Sequence, residues 1–100
     1  MIIHFVESGG LLGLLKACEL DTAVLAPEIA QEIKRLVDAS GLSASGEFFS
    51  DAGRDLRQYE ITIEDGTEKL SVTFDDENIP PSAKSLLGYL KKCSTPKALE

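Results

Sequence analysis

Apolar and polar residues alternate most cleanly in the second half of the chain. Gln58-Tyr59-Glu60-Ile61-Thr62-Ile63-Glu64 and Lys69-Leu70-Ser71-Val72-Thr73-Phe74-Asp75 both repeat with period two. That period sets Tyr59, Ile61 and Ile63 on one face of a strand, and Leu70, Val72 and Phe74 on the matching face of the next. Asp65-Gly66 lies between the two runs, and Asp-Gly flanked by alternating apolar residues is a strong hairpin signal. Glu60, Thr62, Glu64, Ser71 and Thr73 are left facing water, so this part of the sheet is expected to be covered on one side only. Residues 2 to 7 predict another strand, with Ile3 and Phe5 opposite Ile2, His4 and Val6. Apolar side chains on both faces predict a central or well-covered position. Leu14 to Leu20 can return beside it, with Leu14, Lys16, Cys18 and Leu20 opposite Leu15, Ala17 and Glu19.

Two stretches switch to helical spacing. After Asp21-Thr22, the sequence Ala26-Pro27-Glu28 reads as a helix start, because proline suits the first helical position and an acid suits the positive end of the dipole. Ile29, Ala30, Ile33, Leu36, Val37 and Ser40 then form one stripe, opposite Glu28, Gln31, Glu32, Lys34, Arg35 and Asp38. Gly41 ends the helix. Ile79-Pro80-Pro81-Ser82 launches a second helix over residues 82 to 93, with Ala83, Leu86, Leu87 and Leu90 inward and Lys84, Lys91 and Lys92 outward. Residues 42 to 56 fit neither period. Ser43-Ala44-Ser45-Gly46 reads as loop, Phe48-Phe49 as an anchor, and the whole as a tethered crossover. The order is β-β-α-β-β-α, an α+β two-layer sandwich in which a four-stranded antiparallel sheet carries both helices on one face. One domain over residues 1–94 is expected, with residues 95–100 as a flexible tail whose final Leu99-Glu100 looks like a cloning scar.

One stretch departs from this regularity. Ser8-Gly9-Gly10-Leu11-Leu12-Gly13-Leu14-Leu15 connects the first two strands, where a hairpin connection is normally polar. Its glycines permit a tight turn, yet four leucines run through it. Exposed apolar side chains in a loop either fold back over the core or wait for a partner.

Composition narrows the possible chemistry. The chain of 100 residues carries 10 Lys+Arg against 17 Asp+Glu, a net charge of −7, which argues against nucleic acid or an anionic membrane as partner. Cys18, Cys93 and the lone His4 have no metal-ligand spacing, and the cysteines read as two reduced, partly buried thiols. No credible Ser-His-Asp or Cys-His arrangement is expected around the lone His4. Gly9-Gly10-Leu11-Leu12-Gly13 lacks the Gly-Lys-Ser/Thr ending of a phosphate loop. The carboxylates Glu60 with Glu64, and Asp75 with Asp76, read as a solvated strand edge and bend, and Asp75 to Asn78 lacks the spacing of a calcium loop. No catalytic residue, metal site or cofactor is expected, and the chain does not read as an enzyme. Met1-Ile2-Ile3-His4-Phe5-Val6 has no basic n-region and no apolar run approaches a membrane span. A soluble, cytoplasmic protein is expected, with export by a non-standard route left open.

The order of landmarks resembles a known family. A first strand runs into Ser8-Gly9-Gly10, then come Asp21, Leu25-Ala26-Pro27-Glu28 and Leu36-Val37-Asp38-Ala39-Ser40-Gly41. Gln58 to Gly66 follows, then Ser71-Val72-Thr73-Phe74-Asp75, Ile79-Pro80-Pro81 and Leu86-Leu87-Gly88-Tyr89-Leu90. Together they resemble the emfourin family, small bacterial protein inhibitors of thermolysin-like zinc metalloproteases, with protealysin-type enzymes as targets. Ser43 to Arg57 departs from that pattern, as do Lys16 and Cys18 where small polar residues are expected. The resemblance implies occlusion of a protease active-site cleft by a protein that is a monomer when free. From the residues themselves, Leu11 or Leu12 is suited to an apolar pocket just after the scissile bond, with Ser8, Gly9, Gly10 and Gly13 shaping the loop. Glu7 and Glu19 are expected to add acidic steering toward a basic groove. The rival is a non-enzymatic interaction or regulatory module, a homodimer joined through the same leucines.

Overall fold

The computed structural model describes residues 1–9, 15–42, 46–48 and 57–97. Four strands form an antiparallel sheet in the expected β-β-α-β-β-α order: β1 (Ile2–Gly9), β2 (Leu15–Asp21), β4 (Arg57–Asp65) and β5 (Glu68–Asp75). Helix α1 (Pro27–Ala39) follows β2, while a single 3₁₀ turn (Pro81–Ala83) runs into α2 (Lys84–Cys93). Two three-residue strands, β3 (Gly46–Phe48) and β6 (Thr95–Lys97), extend the sheet at its edges, giving the order β3-β5-β4-β1-β2-β6. β3 pairs with β5 in parallel and β6 with β2 antiparallel. Part of the expected crossover and part of the expected tail are thus sheet. Neither carries an alternating pattern, because three residues paired on one side need only backbone groups to hold them.

β1 lies between β2 and β4, the central position its two apolar faces predict. The registers line the inner residues up in rows across the sheet. Leu20, Ile3, Ile63 and Leu70 form one, and Cys18, Phe5, Ile61 and Val72 the next. Ile33 and Leu36 of α1, with Leu86, Leu87 and Leu90 of α2, cover this face in a single apolar cluster. The outer rows are polar or half-buried: Glu19, His4, Thr62 and Ser71 stand abreast. Ile29, assigned to the inner stripe from its spacing, is 44% exposed, because α1 rests on the sheet through Ala30, Ile33 and Leu36. No helix among the described residues is long and apolar enough to cross a membrane.

The turns use glycine as expected. Gly66 takes φ +64 at the first of the two residues between the paired Asp65 and Glu68, one position beyond the Asp-Gly reading. No non-glycine residue among those described has a positive φ, so the second turn residue, Thr67, is ordinary, as in turns that need glycine only at their first central position. Gly41 follows the C-cap Ser40 with φ +73. Beside it, the Ser82 hydroxyl donates to the Ser40 carbonyl at 2.7 Å and ties the end of α1 to the start of the second helical segment. A Cβ on Gly41 would stand 3.1 Å from the Ser82 Oγ. Gly41→Ala therefore combines a left-handed backbone with a crowded hydroxyl, and a loss of about 1–2 kcal/mol is expected in urea denaturation.

Candidate functional site

The β1–β2 connection is braced from both sides. On the β2 side the ladder runs from Ile2 opposite Asp21 to Glu7 opposite Lys16. On the β4 side β1 pairs two residues further, Ser8 with Gln58 and Gly9 with Arg57. β6 supports the other root, with Lys97 opposite Leu15. Gly9 is exposed and has φ +89, a conformation that turns the chain away from the extended path at low cost only for glycine. Ser8 is half-buried on the outer face. Of the residues singled out from sequence, Ser8 and Gly9 thus stand at the root of the connection, whereas Gly10, Leu11, Leu12 and Gly13 lie outside the described residues.

Beneath this root the inner face becomes polar. Its row reads Lys16, Glu7, Tyr59, Phe74, and Glu7 is only 7% exposed. The alternation of Ile3, Phe5 and Glu7 sets its side chain inward, so Glu7 does not belong to the acidic surface expected of it. Glu19 does remain on the surface, with its carboxylate 3.8 Å from His4 Nδ1, and Glu64 is 3.9 Å from His4 Nε2. The histidine is thereby held between two carboxylates on the outer face.

Tyr59 joins the polar row to the core. Its ring stacks on Phe5 with centroids 6.3 Å apart, and Lys91 Nζ stands 4.7 Å from its centroid on the other element packed here, α2. Its hydroxyl donates to Asp76 Oδ1, while Asp76 Oδ2 accepts the Arg57 amide at 3.2 Å. The Asp76 amide in turn donates to the Arg57 carbonyl. This clasp fixes the start of β4, the strand against which Ser8 and Gly9 pair. Its neighbour Asp75 is fully buried, accepting from the Glu77 amide at 3.0 Å and from Asn78 Nδ2 at 2.8 Å. The bend read as solvated carboxylates is instead knotted by side-chain to backbone hydrogen bonds. A usable signal did exist: with the hairpin register set by the turn, Tyr59 falls opposite Phe74, which brings Asp76 to the same end.

Burial, followed by the hydrogen bond to Asp76 and that carboxylate's charge, raises the Tyr59 pKa above its ordinary value of 10.0. Burial and the nearby Cys93 push the Cys18 thiol from 9.0 up to about 11. Both groups bind their protons more tightly folded than unfolded, so their contribution is complete below the unfolded values and is lost as pH rises through the folded ones. The urea midpoint, measured under reducing conditions, is expected to decline from about pH 9 upward. Cys18→Ser should flatten the decline between pH 9 and 11, and Tyr59→Phe the part above pH 10. At neutral pH, Tyr59→Phe should cost about 1–2 kcal/mol through the lost hydrogen bond. A midpoint that holds level to pH 11 contradicts the assignment.

Among the described residues no three His, Cys, Asp or Glu side chains are grouped so as to hold a metal ion. At the end of the sheet away from the connection, a groove of about 590 Å³ is lined by Ile2, Asp21, Glu64, Glu68 and Lys69 among others. Its carboxylates are spread along the rim, with Glu64 3.7 Å from Lys69 Nζ. The described strands place the two roots of the β1–β2 connection over a polar row at one end of the sheet.

The model of one family, described as Emfourin, matches residues 5–91. No curated protein and no solved structure matches the chain.

Proposed function

The chain belongs to the emfourin family, and on that premise we propose that it inhibits a thermolysin-like zinc metalloprotease by plugging its active-site cleft. Membership of the family supports a metalloprotease-inhibitor role, and the match over residues 5–91 carries the reading. The contact surface in this reading is the β1–β2 connection: Ser8, Gly9, Gly10, Leu11, Leu12 and Gly13. Leu11 or Leu12 enters the apolar pocket beyond the scissile bond, and the glycines let the backbone approach the cleft. The pairing of Ser8 and Gly9 with β4 and of Leu15 with β6 supports this choice, because a loop with two fixed roots loses less conformational freedom on binding. With a net charge of −7 and Glu19 exposed on the outer face, the inhibitor approaches a basic groove faster at low salt than at high salt.

Titration of this protein into a thermolysin-type protease, with a peptide substrate as reporter, tests the reading. Activity is expected to fall to an endpoint at one inhibitor per enzyme. Undiminished activity at large excess, or cleavage of the protein as an ordinary substrate, would falsify it.

A further inference from the structure

Cys18 and Cys93 lie 75 positions apart in the chain and come together at one corner of the fold. Cys18 sits on the inner face of β2, packed against the core cluster, and its Sγ donates to the Leu90 carbonyl at 3.8 Å. Leu90 stands three residues before Cys93 on α2, and residues at that spacing share one side of a helix. The β2–β6 ladder leads to the same corner independently. Ala17, the residue before Cys18, pairs with Thr95, two residues after Cys93. Paired residues in such a ladder have Cα atoms about 4.5–5.5 Å apart, which brings the two cysteines to the same corner of the sheet. Both thiols are free and half-buried, so a small oxidant can reach them.

We propose that Cys18 and Cys93 are a redox pair that closes into an intramolecular disulfide, stapling β2 to the end of α2. With oxidised glutathione as the oxidant, the Cys93 thiolate attacks one glutathione sulfur, the glutathione disulfide breaks, and one glutathione thiolate leaves. Cys18 loses its proton and attacks the Cys93 sulfur of the mixed disulfide. The Cys18–Cys93 bond forms as the second glutathione thiolate departs. Two protein thiols give up two electrons and two protons, and one glutathione disulfide becomes two thiols. Cys93 attacks first because burial and the Cys93 charge hold the Cys18 thiol at about 11, which leaves little Cys18 thiolate at neutral pH. The staple closes most of the chain into one loop and removes freedom from the unfolded state.

The test incubates the full chain with oxidised glutathione and follows free thiols, intact mass and melting temperature. The expected product has lost both thiols and two hydrogens, runs as a monomer without reductant, and yields a Cys18–Cys93 cross-linked peptide. Its melting temperature is expected to rise by about 10 °C or more, with reductant reversing the shift. Cys18→Ser and Cys93→Ser should each abolish the shift, and far-UV circular dichroism confirms that each variant is folded. A lasting glutathione adduct on Cys93 overturns the proposal, as does a disulfide-linked dimer or an internal disulfide that leaves the melting temperature unchanged. The result does not depend on the inhibitory reading, since no protease enters the measurement.

Discussion

Leu11→Ala and Leu12→Ala should weaken inhibition of a thermolysin-type protease, the residue that fills the pocket by about 30-fold or more, while the melting temperature stays where it is. The size follows from a buried anchor: truncating one costs about 2 kcal/mol or more, and every 1.4 kcal/mol is about tenfold in affinity. Unchanged stability is expected if the leucines serve a partner rather than the core, whose described inner rows, Ile3, Phe5, Tyr59, Ile61, Ile63, Val72 and Phe74, are buried. The partner leucine, lying on the rim of the contact, should cost less. The opposite pairing of results is equally decisive. A melting temperature lowered by several degrees with inhibition intact would make the leucines a lid over the protein's own core. The loop would then not be the binding surface, even if the wild-type protein inhibits.

Phe5→Ala should lower the melting temperature by about 15–30 °C, or leave too little folded protein to measure. Phe5 is fully buried at the middle of the central strand, between Cys18 and Ile61 in its row, and stacked on Tyr59. Replacing a buried phenylalanine by alanine costs about 3–5 kcal/mol, against a total of about 5–15 kcal/mol for a small protein. Each kcal/mol moves the midpoint of a chain this size by about 4–8 °C. Thermal denaturation followed by far-UV circular dichroism reads the effect. A loss below about 1 kcal/mol would mean that the cluster is not packed around this ring. Since β1 also carries Ser8 and Gly9, inhibition should fall together with the folded fraction, in contrast to the leucine variants, where the two separate.

Much of this architecture is legible in particular residues. The alternation through Tyr59, Ile61 and Ile63 and through Leu70, Val72 and Phe74 specifies two strands and their inner faces, and Gly66 specifies the turn. Pro27 and Gly41 bound the first helix. Other features escape such reading because they depend on what comes to lie alongside. Glu7 follows the inner parity of Ile3 and Phe5, yet a carboxylate is seldom read as buried. It is buried all the same, in the row whose next member, Tyr59, lies under Lys91 of α2. Thr95–Lys97 has no pattern at all, and it is a strand because β2 offers it an open edge. Ile29 fits the helical stripe but points past the sheet, since the angle at which a helix settles is set by its deepest residues.

By itself, then, the sequence determines the period of each segment, the positions of the turns, the β-β-α-β-β-α order and the unusual apolar connection between the first two strands. These are local properties, written in spacing and in the few residues that tolerate special backbone angles. Tertiary structure alone decides which charges are buried, how far the sheet extends, and which distant groups meet: the Ser82 hydroxyl with the Ser40 carbonyl, and the Cys18 thiol with the Leu90 carbonyl. Those meetings depend on the register and packing of elements remote in sequence, for which no local pattern of residues carries a signal.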